Sequence, residues 1–226
     1  MSDRTIAAAD DSANPPNAGA LFRTIAESFT GVYLTMLSII QGVALTDLAN
    51  ITFSERVHFT VVNWLEVATM LWTLIYVWNH FMGDALMTHW IPDLEDAALL
   101  FGTGVFELVA NHAIVWGITP WIATLSTMFF AWSLGEFYVR RQEERVVRDP
   151  FLMEMLNARM RRLLLQSVAG GAVVGALAVA SYLVPGNGTV ALLGVTITLV
   201  VSLLIGAISA GFWRRVRRYA LSGKAA

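Results

Sequence analysis

The sequence predicts an all-α fold: a polytopic membrane bundle of six transmembrane helices with both termini on the cytoplasmic side. Three observations predict it. Of the 226 residues, 56% are hydrophobic and 14% are charged, where a soluble domain carries about a quarter charged residues. The apolar residues fall in long blocks, each near the roughly 20 residues that cross about 30 Å of hydrocarbon as a helix. Basic residues collect on one side of the topology that these blocks define.

The elements follow in order. Residues 1–28 are polar, and the stretch AADDSANPPNA at 8–18 reads as a disordered cytoplasmic tail, too poor in apolar residues to bury a core. It is not a secretory signal, because the first apolar block begins only near Phe29 and no processing site follows it. The expected spans are 29–48, 59–82, 97–117, 118–138, 163–184 and 189–213. Gly117-Ile118-Thr119-Pro120 makes the third and fourth a tight hairpin, and Pro185-Gly186-Asn187-Gly188 turns the fifth into the sixth.

With six spans, the termini and the loop at 139–162 share one side. That side holds Arg4, Arg23, the seven arginines from Arg140 to Arg162, Arg214, Arg215, Arg217, Arg218 and Lys224, fourteen basic residues against Arg56 alone on the other. Such a bias places the loop and both termini in the cytoplasm of a cell whose plasma (inner) membrane holds the chain. The arginines read as anchors beside anionic lipid head groups. Within 139–162, Asp149-Pro150 is a helix start, and Phe151, Leu152, Met155 and Leu156 share an apolar face. This predicts a short amphipathic helix on the membrane surface, with docking of a soluble partner as the alternative. Residues 214–226 form a basic tail.

Composition excludes several functions. There are no cysteines, so no disulfide scaffold, Cys-based zinc site or thiol nucleophile. The 15 basic and 17 acidic residues nearly cancel, which argues against a nucleic-acid binder driven by bulk charge. Neither Gly-x-Ser-x-Gly nor His-Glu-x-x-His occurs, and the one lysine, Lys224, lies in the tail, away from any retinal-type position. No enzyme activity and no cofactor are expected.

The spans divide into two kinds. Residues 29–138 form a four-helix unit with buried polar groups. Its second helix carries Glu66, Thr69, Thr73, Tyr76 and His80 on one continuous stripe, with Asn63 one turn outside Glu66. Its third places Thr103, Glu107 and Asn111 on one face, its first offers Thr35, Ser38, Gln41 and Asp47, and its fourth Thr124, Thr127 and Glu136. A carboxylate in hydrocarbon costs about 2.5–3.5 kcal/mol on insertion scales. Glu66 and Glu107 must therefore face the bundle interior or water, or be protonated. They mark a hydrophilic path or, alternatively, neutral interhelical hydrogen bonds with Asn111 and the threonines.

The hairpin at 163–213 has no ionisable group inside its spans and shows small residues at every fourth position: Ser167, Gly171 and Gly175, then Gly194, Thr198, Ser202, Gly206 and Ala210. Small side chains let helix backbones approach closely in lipid. The stripes predict packing within the hairpin, or a subunit interface. Gly170-Gly171 is no phosphate loop, since it sits in an apolar helix without a following Lys.

His58, His80, His89 and His112 are scattered over both faces and do not make a membrane metal site. His89 with Asp84, Asp93, Glu95 and Asp96 is a candidate for cation binding in the inner loop. Trp90, Trp116, Trp121 and Trp213 fall at expected interfaces, where an aromatic belt accounts for them.

Two stretches resemble a known family. Arg23-Thr24-Ile25-Ala26-Glu27-Ser28 followed by Gly31-Val32 resembles the Arg-x-x-Ala-Phe-Ser-Asp-Gly-Val opening of the first helix in lysosomal-type potassium channels and their bacterial relatives, and Trp78-Asn79-His80 resembles the end of that family's second helix. The Phe-Ser-Asp core is not reproduced, since Phe29 and Thr30 stand where Asp would be. The resemblance implies an oligomeric cation channel with the first helix lining the pore. The expected function is a membrane transport protein, a cation or proton pathway with Gln41, Glu66, Thr73, His80, Glu107 and Asn111 along the route. Lipid, an inorganic cation or proton, and further copies of the chain are the expected partners. A non-catalytic membrane scaffold is the second reading, and an intramembrane enzyme the third.

Overall fold

In the computed structural model, residues 18–88, 94–146 and 149–222 are described, and every regular element among them is helical. In chain order they are α1 (Ala18–Glu55), α2 (Val61–Thr88), α3 (Leu94–Trp116), α4 (Ile118–Val146), α5 (Pro150–Leu183) and α6 (Gly188–Leu221). Five contain segments long and apolar enough to cross a membrane: Ser28–Glu55, Val61–Ala85, Ala97–Trp116, Pro150–Leu183 and Gly188–Tyr219.

The expected fourth span, 118–138, is helical but not among those five. Thr119, Thr124, Ser126, Thr127 and Ser133 dilute its apolar run. Its position explains the tolerance. α4 packs against α3, α5 and α6, and its contact with α5 is the most extensive in the molecule. Trp121 and Ile122 are fully buried, so much of α4 meets protein rather than lipid.

The remaining contacts join α1 to α2 and α3, α2 to α3 and α6, and α5 to α6. Leu37, Met70, Leu100, Ile114 and Leu163 are buried along the shared faces, while Ile39, Val43, Ile75, Val105, Leu134, Leu165 and Leu204 are exposed on the outside. An apolar exterior of this extent is what lipid as solvent favours.

Short, capped connections hold the helices in register. Gly117 alone separates α3 from α4, at φ +112°, a backbone that favours glycine. Gly186, at φ +78°, serves the α5–α6 turn. Asn187 Oδ1 then accepts from the Thr189 and Val190 N–H groups at 3.0 and 3.2 Å, satisfying donors that a helix start leaves open.

The amphipathic surface helix expected within 139–162 does not stand apart. α4 runs on to Val146, and Pro150 opens a helix that continues unbroken to Leu183. Leu156 and Arg159 lie on its buried side. Asp149 does cap it as expected, with Oδ1 accepting from Phe151 N and Leu152 N at 2.8 and 3.0 Å. The N-terminal segment also differs from expectation, because α1 begins at Ala18; residues 1–17 lie outside the described residues.

The small-residue stripes pack on α4 and α2 rather than on each other. A methyl at Gly171 would touch Phe129 and Phe130, one at Gly175 would lie 2.9 Å from Ser126 Oγ, and one at Gly194 would press on Ile122. Gly206 faces Trp72 of α2, whose indole N–H donates to Ser202 O at 3.0 Å. Thr198 is buried and bonds its own helix at Gly194 O. Between α5 and α6, Gly170 meets Val201 and the Phe151 ring meets Tyr219.

The tryptophans also divide. Trp116 is exposed as a belt residue would be, but Trp121 is fully buried and Trp213 packs on Gly83. A position near an interface fixes depth, not the direction a ring points. Trp90 lies outside the described residues.

Candidate functional site

α3 supplies the spine of the polar site. Thr103, Glu107 and Asn111 are buried on one face, rising about 6 Å per step of four residues. At the middle step Gln41 of α1 meets Glu107, its Nε2 donating to Oε1 at 3.0 Å and Oε2 at 2.8 Å. Both carboxyl oxygens accept from one NH2 group. That orientation leaves Gln41 Oε1 buried without a hydrogen-bond partner.

One step outward, Asn111 Nδ2 donates to Ala44 O at 2.9 Å and to Asp47 Oδ2 at 3.2 Å. Asp47 in turn faces His112 Nε2 at 3.4 Å, and half of the His112 side chain is exposed. This half-open end of the row lies toward the α3–α4 turn. Asn111 Oδ1, like Gln41 Oε1, is a buried acceptor without a donor, an arrangement that normally costs free energy.

Glu66 is fully buried on α2. Its Oε2 accepts from Asn63 Nδ2 at 3.0 Å, and Asn63 also reaches Ile114 O of α3 at 3.4 Å. Thr73 is half-buried and spends its hydroxyl on its own helix, at Thr69 O. It joins no interhelical network among the described residues, and its cavity faces α4 and α6 rather than α3.

Inward of Glu107, a cavity of about 130 Å³ lies between α2, α3 and α4, with Thr103, His80 and Glu136 in its wall. It leads to a cluster that the sequence had only in pieces. Arg159 of α5 donates from Nη1 to Asp84 Oδ1 at 2.7 Å and from Nη2 to Asp84 Oδ2 at 3.3 Å. Its Nη2 also lies 2.9 Å from His80 Nδ1. His80 Nε2 faces Glu136 Oε1 at 2.8 Å and Asp84 Oδ2 at 3.2 Å, and Trp132 Nε1 donates to that same Glu136 oxygen at 2.9 Å. A guanidinium has no lone pair to offer, so His80 Nδ1 must be the acceptor, which puts the imidazole proton on Nε2 toward Glu136.

All four ionisable side chains of this cluster are buried. The guanidinium lies over the Phe212 and Trp213 rings of α6, 4.7 and 5.3 Å from their centroids, and the Trp132 ring lies tilted against His80, 4.9 Å between centroids. Aromatic faces and a bidentate carboxylate are environments that a planar guanidinium suits better than an ammonium. Among the described residues no group of three His, Asp or Glu side chains is placed to hold a metal ion.

Of the residues expected on a route, the structure thus joins Gln41, Glu107 and Asn111 in one row and His80 in a second cluster at its inner end. Glu66 stands in its own pair with Asn63, and Thr73 stands aside. Arg159 is not the interfacial anchor that its arginine-rich segment suggested. Asp84 belongs to the His80 cluster rather than to an inner-loop cation site, and His89 and Asp93 of that loop lie outside the described residues. A signal for Arg159 existed: it lies four and eight residues before Leu163 and Ser167, on the buried side of α5. Asp84 likewise sits one turn from His80.

No protein-family model, curated protein or solved structure matches this chain. The geometry of the buried groups is therefore the ground for any statement about activity.

Proposed function

We propose that this chain is an integral membrane transport protein that carries protons along the row from Asp47 and His112, through Asn111 and the Gln41–Glu107 pair, past Thr103 to the His80–Glu136–Asp84–Arg159 cluster. It is not an enzyme on this reading. The observation that carries it is Glu107: a carboxyl group with no exposure, held by Gln41 from a second helix, one turn from Thr103 in the cavity wall and one turn from Asn111. Ionisable groups at such depth are costly and mark conduction paths and proton relays.

Between a proton and an inorganic cation, the inner cluster favours the proton. The carboxylates of the cluster are already taken by Arg159, His80 and Trp132, which leaves no open ligand set for a metal cation, whereas a proton passes by being taken up and released at His80 and Glu136. Uptake on His80 Nδ1 breaks the bond from Arg159 Nη2, so the cluster has two arrangements rather than one.

The proposal includes α4 as a sixth span, the inner membrane as location, and both termini in the cytoplasm, on the strength of the fourteen-to-one distribution of basic residues. A tag after Ser222 should then be shielded from external protease in whole cells, and a label at Asn187 should be reached from outside. Assembly into an oligomer rests on the resemblance to the potassium channel family. The scaffold reading has less support, because the stripes offered for a partner are occupied by α4 and α2.

Proteoliposomes holding a pH-sensitive dye and polarised with valinomycin provide the test. Wild-type protein should acidify the lumen faster than empty vesicles. Glu107→Gln, which keeps size and hydrogen-bonding capacity but removes the titratable proton, should abolish most of that flux while melting like wild type. An inserted, stable wild-type protein with no proton flux would refute the proposal and leave the scaffold reading standing.

A further inference from the structure

Where α5 begins and α6 ends, a cavity of about 690 Å³ opens between the two helices, on the far side of Arg159 from His80 and Asp84. Three exposed arginines line it, Arg162 from α5 and Arg215 and Arg218 from α6, and buried Arg159 closes its depth. None of those three exposed guanidinium groups is paired with a carboxylate among the described residues. Phe151, Met155 and Phe212 supply apolar wall between them. The mouth is fixed rather than loose: the Phe151 and Tyr219 rings meet at 4.6 Å between centroids, and the Tyr219 hydroxyl donates to Asp149 Oδ2 at 2.8 Å.

The occupant such a cavity suits has two parts. Its charge must be anionic and rich in acceptor oxygens, because several guanidinium forks converge there without a counter-ion, and forks bind phosphate bidentately. Its remainder must be apolar, because the walls between the arginines are aromatic and aliphatic and continue onto the outside of α5 and α6, where Leu165 and Leu204 are exposed. The volume lies within the range of small-molecule sites, about 300–1,000 Å³. We propose that this cavity is a binding site for one anionic phospholipid, with the phosphate held by Arg162, Arg215 and Arg218 and an acyl chain leaving along the α5–α6 surface. Basic pockets between helices at a membrane face recognise headgroups in this way. The inference is independent of the transport reading.

α6 provides its own control. Arg214 and Arg217 carry the same charge at the same three-residue spacing, yet they do not line the cavity. Binding of fluorescent phosphatidylglycerol to the full chain in a zwitterionic detergent, with phosphatidylcholine as comparator, separates a site from general surface attraction. Phosphatidylglycerol should bind wild type and phosphatidylcholine should not. R215Q/R218Q should weaken binding by about tenfold or more, since charge-assisted bonds are lost, while R214Q/R217Q should change it by about twofold at most, as screened surface charge does. Equal losses in the two double variants would overturn the proposal in favour of diffuse attraction. Complete displacement by millimolar inorganic phosphate would overturn it in favour of a soluble phosphate ligand. Should R215Q/R218Q fail to fold, Arg162→Gln decides: weaker binding supports the site, and unchanged binding rejects it.

Discussion

The guanidinium of Arg159 and the imidazole of His80 share a hydrogen bond, Nη2 to Nδ1 at 2.9 Å, between residues 79 positions apart in the chain. The contact ties α5 to α2 and fixes the direction in which His80 presents its proton. With Asp84 on the other side of the guanidinium, Arg159 balances charge that nothing in the surrounding apolar packing can.

Removing Arg159 should therefore be severe. Breaking a buried pair by deleting one partner leaves an uncompensated charge and costs about 3–5 kcal/mol. Arg159→Met should lose about that much stability in denaturant titrations. The double variant R159M/D84N should recover part of it, because the orphaned carboxylate goes too. Arg159→Lys should not rescue fully, since an ammonium has no fork for Asp84 and His80 together. Equal stability of R159M and wild type would mean that the cluster is solvated.

The Gln41–Glu107 pair makes a different prediction. Glu107→Leu should cost about 1–2 kcal/mol, the ordinary scale of an interhelical hydrogen bond in a membrane protein. Gln41→Leu, which strands a buried carboxyl group, should cost about 1–3 kcal/mol. The double variant should lose less than the two losses added, a coupling that a double-mutant cycle of thermal unfolding measures.

Two helical glycines should respond oppositely to alanine. A methyl at Gly83 would overlap the Trp213 ring, whereas a methyl at Gly42 would meet nothing within 4 Å. Gly83→Ala should destabilise by about 1–3 kcal/mol through overpacking. Gly42→Ala should stabilise by about 0.5–1 kcal/mol through helix propensity. Melting temperatures of the two variants shifting in the same direction would contradict the close approach of α2 and α6 at Gly83.

The start of α5 should loosen in acid. The Leu152 N–H, the Tyr219 hydroxyl and the Phe151 N–H all favour ionised Asp149 and hold its carboxyl below the ordinary value of 3.8. A group whose folded value is depressed contributes stability above its unfolded value and loses it as pH falls through the folded one. Hydrogen exchange at Phe151 and Leu152 should thus show constant protection from neutral pH down to about pH 5, then falling protection below about pH 4. In Asp149→Asn the amide oxygen still caps, and the pH dependence should vanish.

The sequence by itself determined that the chain is helical, that most of its helices are long and apolar, and where the polar groups fall on them. Block lengths report helices long enough for a bilayer, and a period near four reports a face. Glu107, Asn111, Gln41 and His80 were legible as inward-facing because an ionisable or amide group in an apolar block has nowhere else to go. The Asp149 cap was legible because its partners are its own neighbours in sequence.

Tertiary structure alone decided which face meets which. The glycine stripes of α5 and α6 give no sign in sequence that they pack on α4 and α2, since a small residue permits close approach without choosing the partner. Trp121 at the start of α4 reads like a belt residue until the helices around it are in place. Arg159 shows the limit most plainly. In a segment of seven arginines each reads as solvated, and only the burial of one side of α5 against α4 and α6 distinguishes the single guanidinium that is withdrawn from water and paired with Asp84 and His80. Charge pattern records how many charges lie near a surface, but desolvation acts on the one that packing encloses.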